Sequence, residues 1–370
     1  SLRQRTPHMQ EAAGLARAGQ FRESFASLGE RVIDAGHDHL RVTAQTWLAL
    51  SPEDRARTAI YSAGRDARGA LNRMVQEGLK AEGALKGEGM QLTTLLPAHA
   101  TREELRYANT YDKGQVLEVM RANAPGGLAC GRYDVEGTDG QGRVVLRDAQ
   151  GKLKRFDPSS IDPADKRDAL QLSEKHQETI YEGDKVRWNE KDTARGLMKS
   201  EEARILMIKD GVVMVENRQG HTIELKQNDR MLERMGLAYA LNMHQAQGDT
   251  RDMAIGEMHS AARNLSNQRL ALVMMTRVRD DITIVTNDKD RLLSQIERNP
   301  GDKTSALETL GEKQVDEGKG KRTSAEFSPK IPEHLRAGGD SLAPLSNVAR
   351  DSLRSVPQID LPERSIERSR

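Results

Sequence analysis

Apolar positions at the start of the chain recur at helical spacing. After Thr6-Pro7, which favours a helix start, Met9, Ala12 and Ala16 lie on one apolar face. Further helices are predicted over residues 21–32, over residues 40–50 and from residue 51 onwards. The pattern changes at residues 58–63, a short apolar run that precedes a long helical face at 67–79. This strand-then-helix unit indicates an α/β sheet.

The period changes to two-residue alternation between about residues 115 and 225. Strands are predicted at residues 116–119, 132–135, 143–146, 153–156, 185–188, 205–208, 212–216 and 222–225. Asp210-Gly211 is the clearest hairpin turn between them. The α/β pattern then resumes with a strand at 237–241, a helix at 268–275 and a strand at 282–286. We therefore expect a small β-barrel inserted into an α/β domain.

The end of the chain has a different composition. Residues 303–370 hold a single aromatic residue, Phe327, and nearly balanced charges. Because such a segment buries too little apolar surface to offset the entropy of ordering it, we expect a disordered tail. The predicted domains are residues 1–100 as the first part of the α/β domain, 101–230 as the β insertion, 231–300 as the rest of the α/β domain, and 301–370 as the tail.

Charge and cysteine content narrow the function classes. The chain has 57 basic and 56 acidic residues, a net charge of +1, so no bulk field draws it to nucleic acid or to a membrane. The one cysteine, Cys130, excludes a disulfide framework and a zinc ribbon, which favours a reducing cytoplasm. No apolar run approaches the ~20 residues of a membrane span, and the first residues lack a starting Met and a signal peptide. We expect a soluble chain that is cut from a longer protein.

The most informative stretch is residues 239–250, which read Tyr-Ala-Leu-Asn-Met-His-Gln-Ala-Gln-Gly-Asp-Thr. An apolar strand ends there in a polar loop, where Gly248 lets the backbone approach a ligand closely. Amide, imidazole and hydroxyl groups stand beside it, at the strand end where α/β folds tend to bind ligands. From the residues alone, a structural role is as good an interpretation of any one of these side chains as a ligand role.

This stretch resembles motif V of superfamily-one helicases, in which a Tyr-Ala-Leu-Thr strand is followed by a histidine and by Gln-Gly. Residues 272–279, Leu-Val-Met-Met-Thr-Arg-Val-Arg, resemble motif VI, the Thr-Arg-x-Arg element of these helicases. Leu2-Arg3-Gln4 resembles their Arg-Gln element, called motif IV. Residues 182–188 resemble the Gly-Asp strand of their small β insertion. The strands between residues 115 and 156 resemble the extra SH3-like part of conjugative relaxase-helicases of the TraI and TrwC type.

The resemblance implies a RecA-like second motor domain with an inserted SH3-like β-barrel. It also implies that Arg277 is an arginine finger, which reaches the γ-phosphate of ATP held by the other RecA-like domain. A guanidinium suits this role because its planar fork of donors binds phosphate oxygens and stabilises charge in the transition state. The other implied nucleotide contacts are Arg3, Gln247, Gly248 and Arg279, and the implied DNA contacts are Asn242, His244 and Thr250. For Arg279, a surface ion pair is an equally good interpretation.

The sequence departs from the family pattern in two ways. Asn242 stands where the family has a threonine beside the DNA backbone, although an asparagine can also donate to phosphate. The sequence contains no Gly-x-x-x-x-Gly-Lys-Ser/Thr P-loop and no strand that ends in Asp-Glu. We therefore expect ATP with Mg²⁺ to be bound mainly by an N-terminal motor domain, and this chain alone to be inactive as an ATP-dependent DNA helicase.

The resemblance further implies partners and a location. The expected partners are single-stranded DNA and the N-terminal RecA-like and relaxase domains of the same protein. The arginine-rich end at residues 364–370 has two interpretations: a solvated disordered end, or a signal that recruits a type IV secretion coupling protein as a further partner. The expected location is the cytoplasm, with translocation into a recipient cell during conjugation and no membrane insertion.

Two other functions remain open. The chain could belong to a recombination or repair helicase of the same superfamily. It could also be a non-catalytic module that binds DNA or recruits the protein for secretion.

Two groups of residues have plain structural interpretations. His37 and His39 lie near Asp34 and Asp38, but charged helix ends often produce such groupings, so no metal site is expected. Tyr133 and Trp188 could stack on DNA bases, yet burial inside the β insertion is the favoured interpretation.

Overall fold

The computed structural model describes residues 4–98, 100–121, 125–162, 170–242, 251–262 and 265–301. Its α-helices are α1 (Pro7–Arg17), α2 (Phe21–Ser27), α3 (His39–Leu48), α4 (Pro52–Arg57), α5 (Arg65–Ala81), α6 (Gln268–Arg277) and α7 (Lys289–Arg298). Its first eight strands are β1 (Val32–Asp34), β2 (Thr58–Ser62), β3 (Lys86–Pro97), β4 (Val116–Val119), β5 (Gly131–Thr138), β6 (Val144–Asp148), β7 (Leu153–Phe156) and β8 (Leu170–Glu182). The others are β9 (Lys185–Trp188), β10 (Glu202–Lys209), β11 (Val212–Asn217), β12 (Thr222–Lys226), β13 (Met235–Leu237), β14 (Ala240–Leu241), β15 (Arg251–Met258) and β16 (Val278–Thr286).

The chain divides into two units. One unit contains Ser1–Glu82 together with Tyr239–Arg370, and the other is Gly83–Ala238. The insertion predicted at residues 101–230 lies inside the second unit, which begins earlier because it includes β3.

A parallel sheet forms the centre of the first unit. Its strand order is β1-β16-β15-β2-β14, and each of the four pairings is parallel. Alternate strand residues such as Tyr61, Ala254 and Ile282 pack in one core with the apolar faces of α1, α2, α6 and α7. The intervening Ile60 and Ile255 are also buried, and α3 and α5 both contact the strands. A parallel sheet that is covered on both faces needs such uninterrupted apolar strands.

The second unit contains two antiparallel sheets. The six-stranded sheet has the order β3-β8-β4-β5-β6-β7, and the five-stranded sheet has the order β12-β11-β10-β9-β13. Tyr133 lies in the core of the first sheet and Trp188 in that of the second, so the prediction that both are buried is confirmed. The hairpin at Asp210-Gly211 joins β10 to β11, as its turn chemistry predicts.

The structure corrects several sequence-based elements. The second helix ends at Ser27 rather than continuing to residue 32, because Gly29 takes a left-handed conformation with φ of 57°. Val32 instead begins β1, which pairs with β16. Strands β3, β8 and β15 were not predicted. Beyond Gly301 the chain, including the predicted tail, lies outside the described residues.

None of the described helices is both long enough and apolar enough to cross a lipid bilayer.

Two glycines of α5 provide a matched test of helix packing. A Cβ atom at Gly78 would lie 2.2 Å from Leu48 Cδ1 and 3.2 Å from Leu48 Cγ, whereas a Cβ atom at Gly69 would meet no atom within 4 Å. Replacing glycine by alanine inside a helix stabilises it by about 1 kcal/mol where space allows. Overpacking a core costs about 1 to 3 kcal/mol. We expect Gly69→Ala to raise the midpoint of thermal unfolding and Gly78→Ala to lower it.

Thermal unfolding followed by circular dichroism checks this prediction. Equal shifts for the two variants would show that α5 does not pack against Leu48 as described.

Candidate functional site

Arg277 lies where helix α6 ends and strand β16 begins. Asn267 caps the amino end of this helix, and its side chain accepts a hydrogen bond from Leu270 N at 2.8 Å. Its apolar face, which includes Met274 and Met275, is buried in the core beside the sheet. Arg277 is the last helical residue, so its half-buried side chain stands at the amino end of β16. No hydrogen bond or ion pair joins its guanidinium to another described residue.

Three other arginines near this junction are held by carboxylates. Arg279 Nη2 lies 2.5 Å from Asp252 Oδ1, which Arg5 Nη2 also reaches at 2.8 Å. Arg5 Nε lies 3.2 Å from Asp280 Oδ1, and Arg57 Nη2 lies 3.6 Å from Asp280 Oδ2. These five residues, here called the amino-edge cluster, gather at the amino ends of β2, β15 and β16.

The amino-edge cluster distinguishes the two arginines of the predicted motif VI. The guanidinium of Arg279 is paired with Asp252, which favours the ion-pair interpretation, and its contact with a nucleotide stays a prediction. Arg277 keeps a cationic fork that can bind an incoming anion.

Gln4 is a site residue to which the sequence analysis assigned no role of its own. Its side chain is 2% exposed, and its Nε2 donates towards Thr276 O at 3.1 Å and Val278 O at 3.2 Å. The signal that could have identified it was its place beside Arg3 in the Arg-Gln element. Spacing alone, however, does not reveal a contact between residues 272 positions apart.

The predicted motif V stretch follows a well-fixed strand. Asn72 Oδ1 of α5 accepts a hydrogen bond from Ala240 N at 2.7 Å, and the buried Tyr239 packs edge-on against Trp47 with ring centres 6.0 Å apart. Asn242 is the last described residue of this stretch and is half-buried. The predicted site residues Arg3, His244, Gln247, Gly248 and Thr250 lie outside the described residues, so their roles stay predictions.

A buried group of polar side chains lies at the opposite edge of the sheet, after the carboxyl ends of β2 and β15. Ser62 Oγ donates to Glu257 Oε2 at 2.6 Å, and His39 Nε2 lies 3.4 Å from Glu257 Oε1. The His259 ring packs edge-on against His39, with ring centres 5.1 Å apart. Ser62, Glu257, His39 and His259 are here called the carboxyl-edge group.

The hydrogen bonds of His39 fix which of its nitrogens carries a proton. Its Nδ1 lies 3.2 Å from Gly36 O, and only an N–H can bond to a carbonyl. The neutral ring therefore turns an unprotonated Nε2 towards Glu257, at a distance longer than that of a good hydrogen bond.

Burial shifts the pKa values of this group in opposite directions. Burial raises the pKa of Glu257 to about 7, against the lowering effect of the Ser62 hydrogen bond. Burial, followed by the charge of His259, lowers the pKa of His39 to about 4. Burial and the charge of Arg291 also lower the pKa of His259. Between about pH 4 and pH 7 the uncharged forms of Glu257 and His39 therefore predominate.

The sequence cluster of His37, His39 and Asp34 does not converge in the structure. Asp34 Oδ2 accepts a hydrogen bond from Lys289 N at 2.9 Å, whereas His39 faces Glu257. Within the described ranges, no group of three or more His, Cys, Asp or Glu side chains could hold a metal ion.

The carboxyl-edge group predicts an unusual dependence of stability on pH. The raised pKa of Glu257 means that its contribution to the free energy of unfolding is present below about pH 4.5 and is lost as the pH rises to about 7. The lowered pKa of His39 means that its contribution is present above about pH 6.5 and is lost as the pH falls to about 4. In the parent protein the two effects oppose each other.

Glu257→Gln removes the one contribution that falls with pH and keeps an acceptor for Ser62. We expect the free energy of unfolding of this variant to rise between about pH 4 and pH 7 more steeply than that of the parent, since each unit of pKa shift is worth about 1.4 kcal/mol. Urea unfolding at a series of pH values measures the slope. Parallel curves for the two proteins would contradict the assignment of a raised pKa to Glu257.

Part of the second unit is similar to a described family. Residues 94–180 match the family described as DNA relaxase TraI 2B/2B-like domain. This stretch contains the whole of β4, β5, β6 and β7 of the six-stranded sheet.

The chain is also similar to two full-length relatives. It is 23% identical over 285 residues, 76% of the chain, to the multifunctional conjugation protein TraI of Escherichia coli. It is 23% identical over 286 residues, again 76% of the chain, to that of Escherichia coli strain K12. The chain spans about 15% of the length of these relatives.

Among solved structures, the chain is similar to helicases. The Pif1 helicase from Bacteroides in complex with ADP-AlF3 and ssDNA is 13% identical, with a TM-score of 0.39, over 87% of this chain and 57% of that one. The Pif1 helicase from Candida albicans is 9% identical, with a TM-score of 0.36, over 86% of this chain and 60% of that one. These scores are low and say nothing about activity. The match to the TraI 2B family and the two TraI relatives confirm the sequence-based resemblance to conjugative relaxase-helicases of the TraI type.

Proposed function

We propose that this chain is the second motor domain of the superfamily-one DNA helicase in a conjugative relaxase. In this proposal the parallel-sheet unit is RecA-like and the second unit is its SH3-like β insertion. The intact protein hydrolyses ATP to move along single-stranded DNA during plasmid transfer.

One observation carries the proposal. Arg277 ends α6 beside three arginines that are all paired with Asp252 or Asp280, yet its own guanidinium has no partner among the described residues. An unpaired, half-buried guanidinium at the end of a packed helix is suited to bind an anionic group that another domain supplies. The γ-phosphate of ATP, held by a P-loop domain of the same protein, is the group that the motif VI resemblance implies.

The remaining site roles follow the sequence. Arg3, Gln247 and Gly248 would add contacts to the nucleotide, and Asn242, His244 and Thr250 would contact the DNA strand. The described residues offer no carboxylate cluster for Mg²⁺, so the proposal assigns its ligands to the P-loop domain and to ATP itself.

Replacement of Arg277 tests the motor function directly. We expect Arg277→Ala to lower the kcat of DNA-stimulated ATP hydrolysis by the full-length natural protein by roughly 10³-fold or more, because an arginine finger contributes at least that much to phosphoryl transfer. Nucleotide binding should be retained. Arg277→Lys should recover little activity, since an ammonium lacks the planar fork of donors. Arg73→Ala, which removes an exposed arginine from α5, is the matched control.

The outcomes separate the candidate functions. Normal hydrolysis by Arg277→Ala would contradict the arginine-finger role. An inactive parent protein would contradict the motor proposal and favour a non-catalytic DNA-binding or secretion-recruitment module. An active helicase whose natural protein has no relaxase domain upstream would favour a recombination or repair enzyme.

A further inference from the structure

The side-chain amide of Gln4 bridges the backbone on both sides of Arg277. Its Nε2 lies 3.1 Å from Thr276 O, 3.2 Å from Val278 O and 3.4 Å from Met275 O. An amide nitrogen has two hydrogens, so it can serve two of these acceptors well at any moment. The two nearest belong to the residues that flank Arg277.

These carbonyls need a partner from outside the helix. The last four carbonyls of an α-helix have no intrahelical donor, and α6 ends at Arg277. Here the chain passes directly from helix to strand at Val278, without a glycine at the junction. The donor supplied by Gln4 therefore stabilises the sharp change of backbone direction at which Arg277 stands.

Gln4 is itself held on several sides. Arg17 Nη2 donates to Gln4 Oε1 at 3.2 Å, and Gln10 Nε2 donates to Gln4 O at 3.1 Å. The next residue, Arg5, donates its backbone N–H to Arg279 O at 2.8 Å. The oxygen and nitrogen of the Gln4 amide group and the main chain of Gln4 are therefore all held by hydrogen bonds. A shift of Gln4 would for this reason also shift the end of α6.

We propose that Gln4 is a positioning residue that fixes the orientation of the Arg277 guanidinium. This role rests on the function proposed for Arg277. The Arg277 side chain has no partner among the described residues, so its orientation depends on its own backbone conformation and on the atoms packed around it. A displacement of about 1 Å of a catalytic group can cost on the order of 100-fold in rate. Loss of the Gln4 donor should therefore slow catalysis without weakening nucleotide binding.

Two replacements separate the donor from the volume of the side chain. Gln4→Met keeps a buried side chain of similar length and removes both polar atoms. Gln4→Glu keeps the shape but, when ionised, directs only acceptors at the carbonyls of Thr276 and Val278. We expect each to lower kcat for DNA-stimulated ATP hydrolysis of the full-length protein by roughly 10- to 100-fold. The KM for ATP should stay within about a factor of two, because the ground-state contacts of the nucleotide lie mainly on the P-loop domain.

The pH dependence of kcat for Gln4→Glu separates loss of the hydrogen-bond donor from loss of packing. Burial raises the pKa of the introduced carboxyl group, whereas the charge of Arg17, whose Nη2 lies 3.2 Å from Oε1 of Gln4, lowers it. Once protonated, the carboxyl group can donate one hydrogen bond. We expect the kcat of Gln4→Glu, relative to that of the parent, to recover as the pH falls, whereas the ratio for Gln4→Met stays flat.

Thr6→Val is the matched control for stability. Thr6 Oγ1 donates to Asp280 O at 2.6 Å, so this variant loosens the same segment from the same strand away from Arg277. We expect it to lower the unfolding midpoint about as much as Gln4→Met while leaving kcat close to that of the parent.

A double mutant tests whether Gln4 acts through Arg277. In an Arg277→Ala background, Gln4→Met should cause no further loss of kcat. The inference is overturned if Gln4→Met slows the reaction by the same factor in both backgrounds, or if it slows the parent no more than Thr6→Val does. Normal activity of Arg277→Ala would instead overturn the proposed function itself, so the two failures are distinguishable.

Discussion

Burial of the parallel sheet on both faces is the constraint on which the rest of the first unit depends. Its strands pack apolar side chains against helices on both faces. Polar side chains of the sheet therefore lie at the amino ends and the carboxyl ends of the strands. The amino edge gathers the ion-paired amino-edge cluster and Arg277. The carboxyl edge holds the carboxyl-edge group around Glu257. Ion pairs therefore lie at one edge of the sheet, and the hydrogen-bonded side chains around the buried Glu257 lie at the other.

The elements that the sequence predicts well are those whose pattern is local. Strands β4, β7 and β9 begin and end where alternation predicts, and α6 covers the predicted helix and extends to Arg277. Strand β8 was missed because its middle, from Glu174 to Glu178, is a polar run. It is a strand because it pairs with β3 on one side and β4 on the other, which no local pattern encodes.

The site residues also divide into those with a local sequence signal and those that depend on long-range contacts. The place of Arg277 at the end of a helix is readable from residues 267–278, because a cap and an apolar face are local signals. For Arg279, a surface ion pair and a nucleotide contact could only be weighed equally, since its partner Asp252 lies on a separate strand. Gln4 and Glu257 escaped sequence reasoning for a stronger reason: each acts through contacts with residues about 200 or more positions away.

The strand order also governs how the protein can form during synthesis. Strand β1 pairs with β16, and β2 pairs with β14 and β15, so in the described sheet neither amino-terminal strand pairs with the other. The second unit, Gly83–Ala238, has its own cores, and all of its strands are synthesised before β14, β15 and β16 of the first unit. The apolar strands β1 and β2 therefore have no partner strand until some 200 further residues, which contain β14, β15 and β16, have been translated. Such exposed strands are the kind of segment that nascent-chain chaperones protect, which makes the first 82 residues the part of this chain most in need of them during translation.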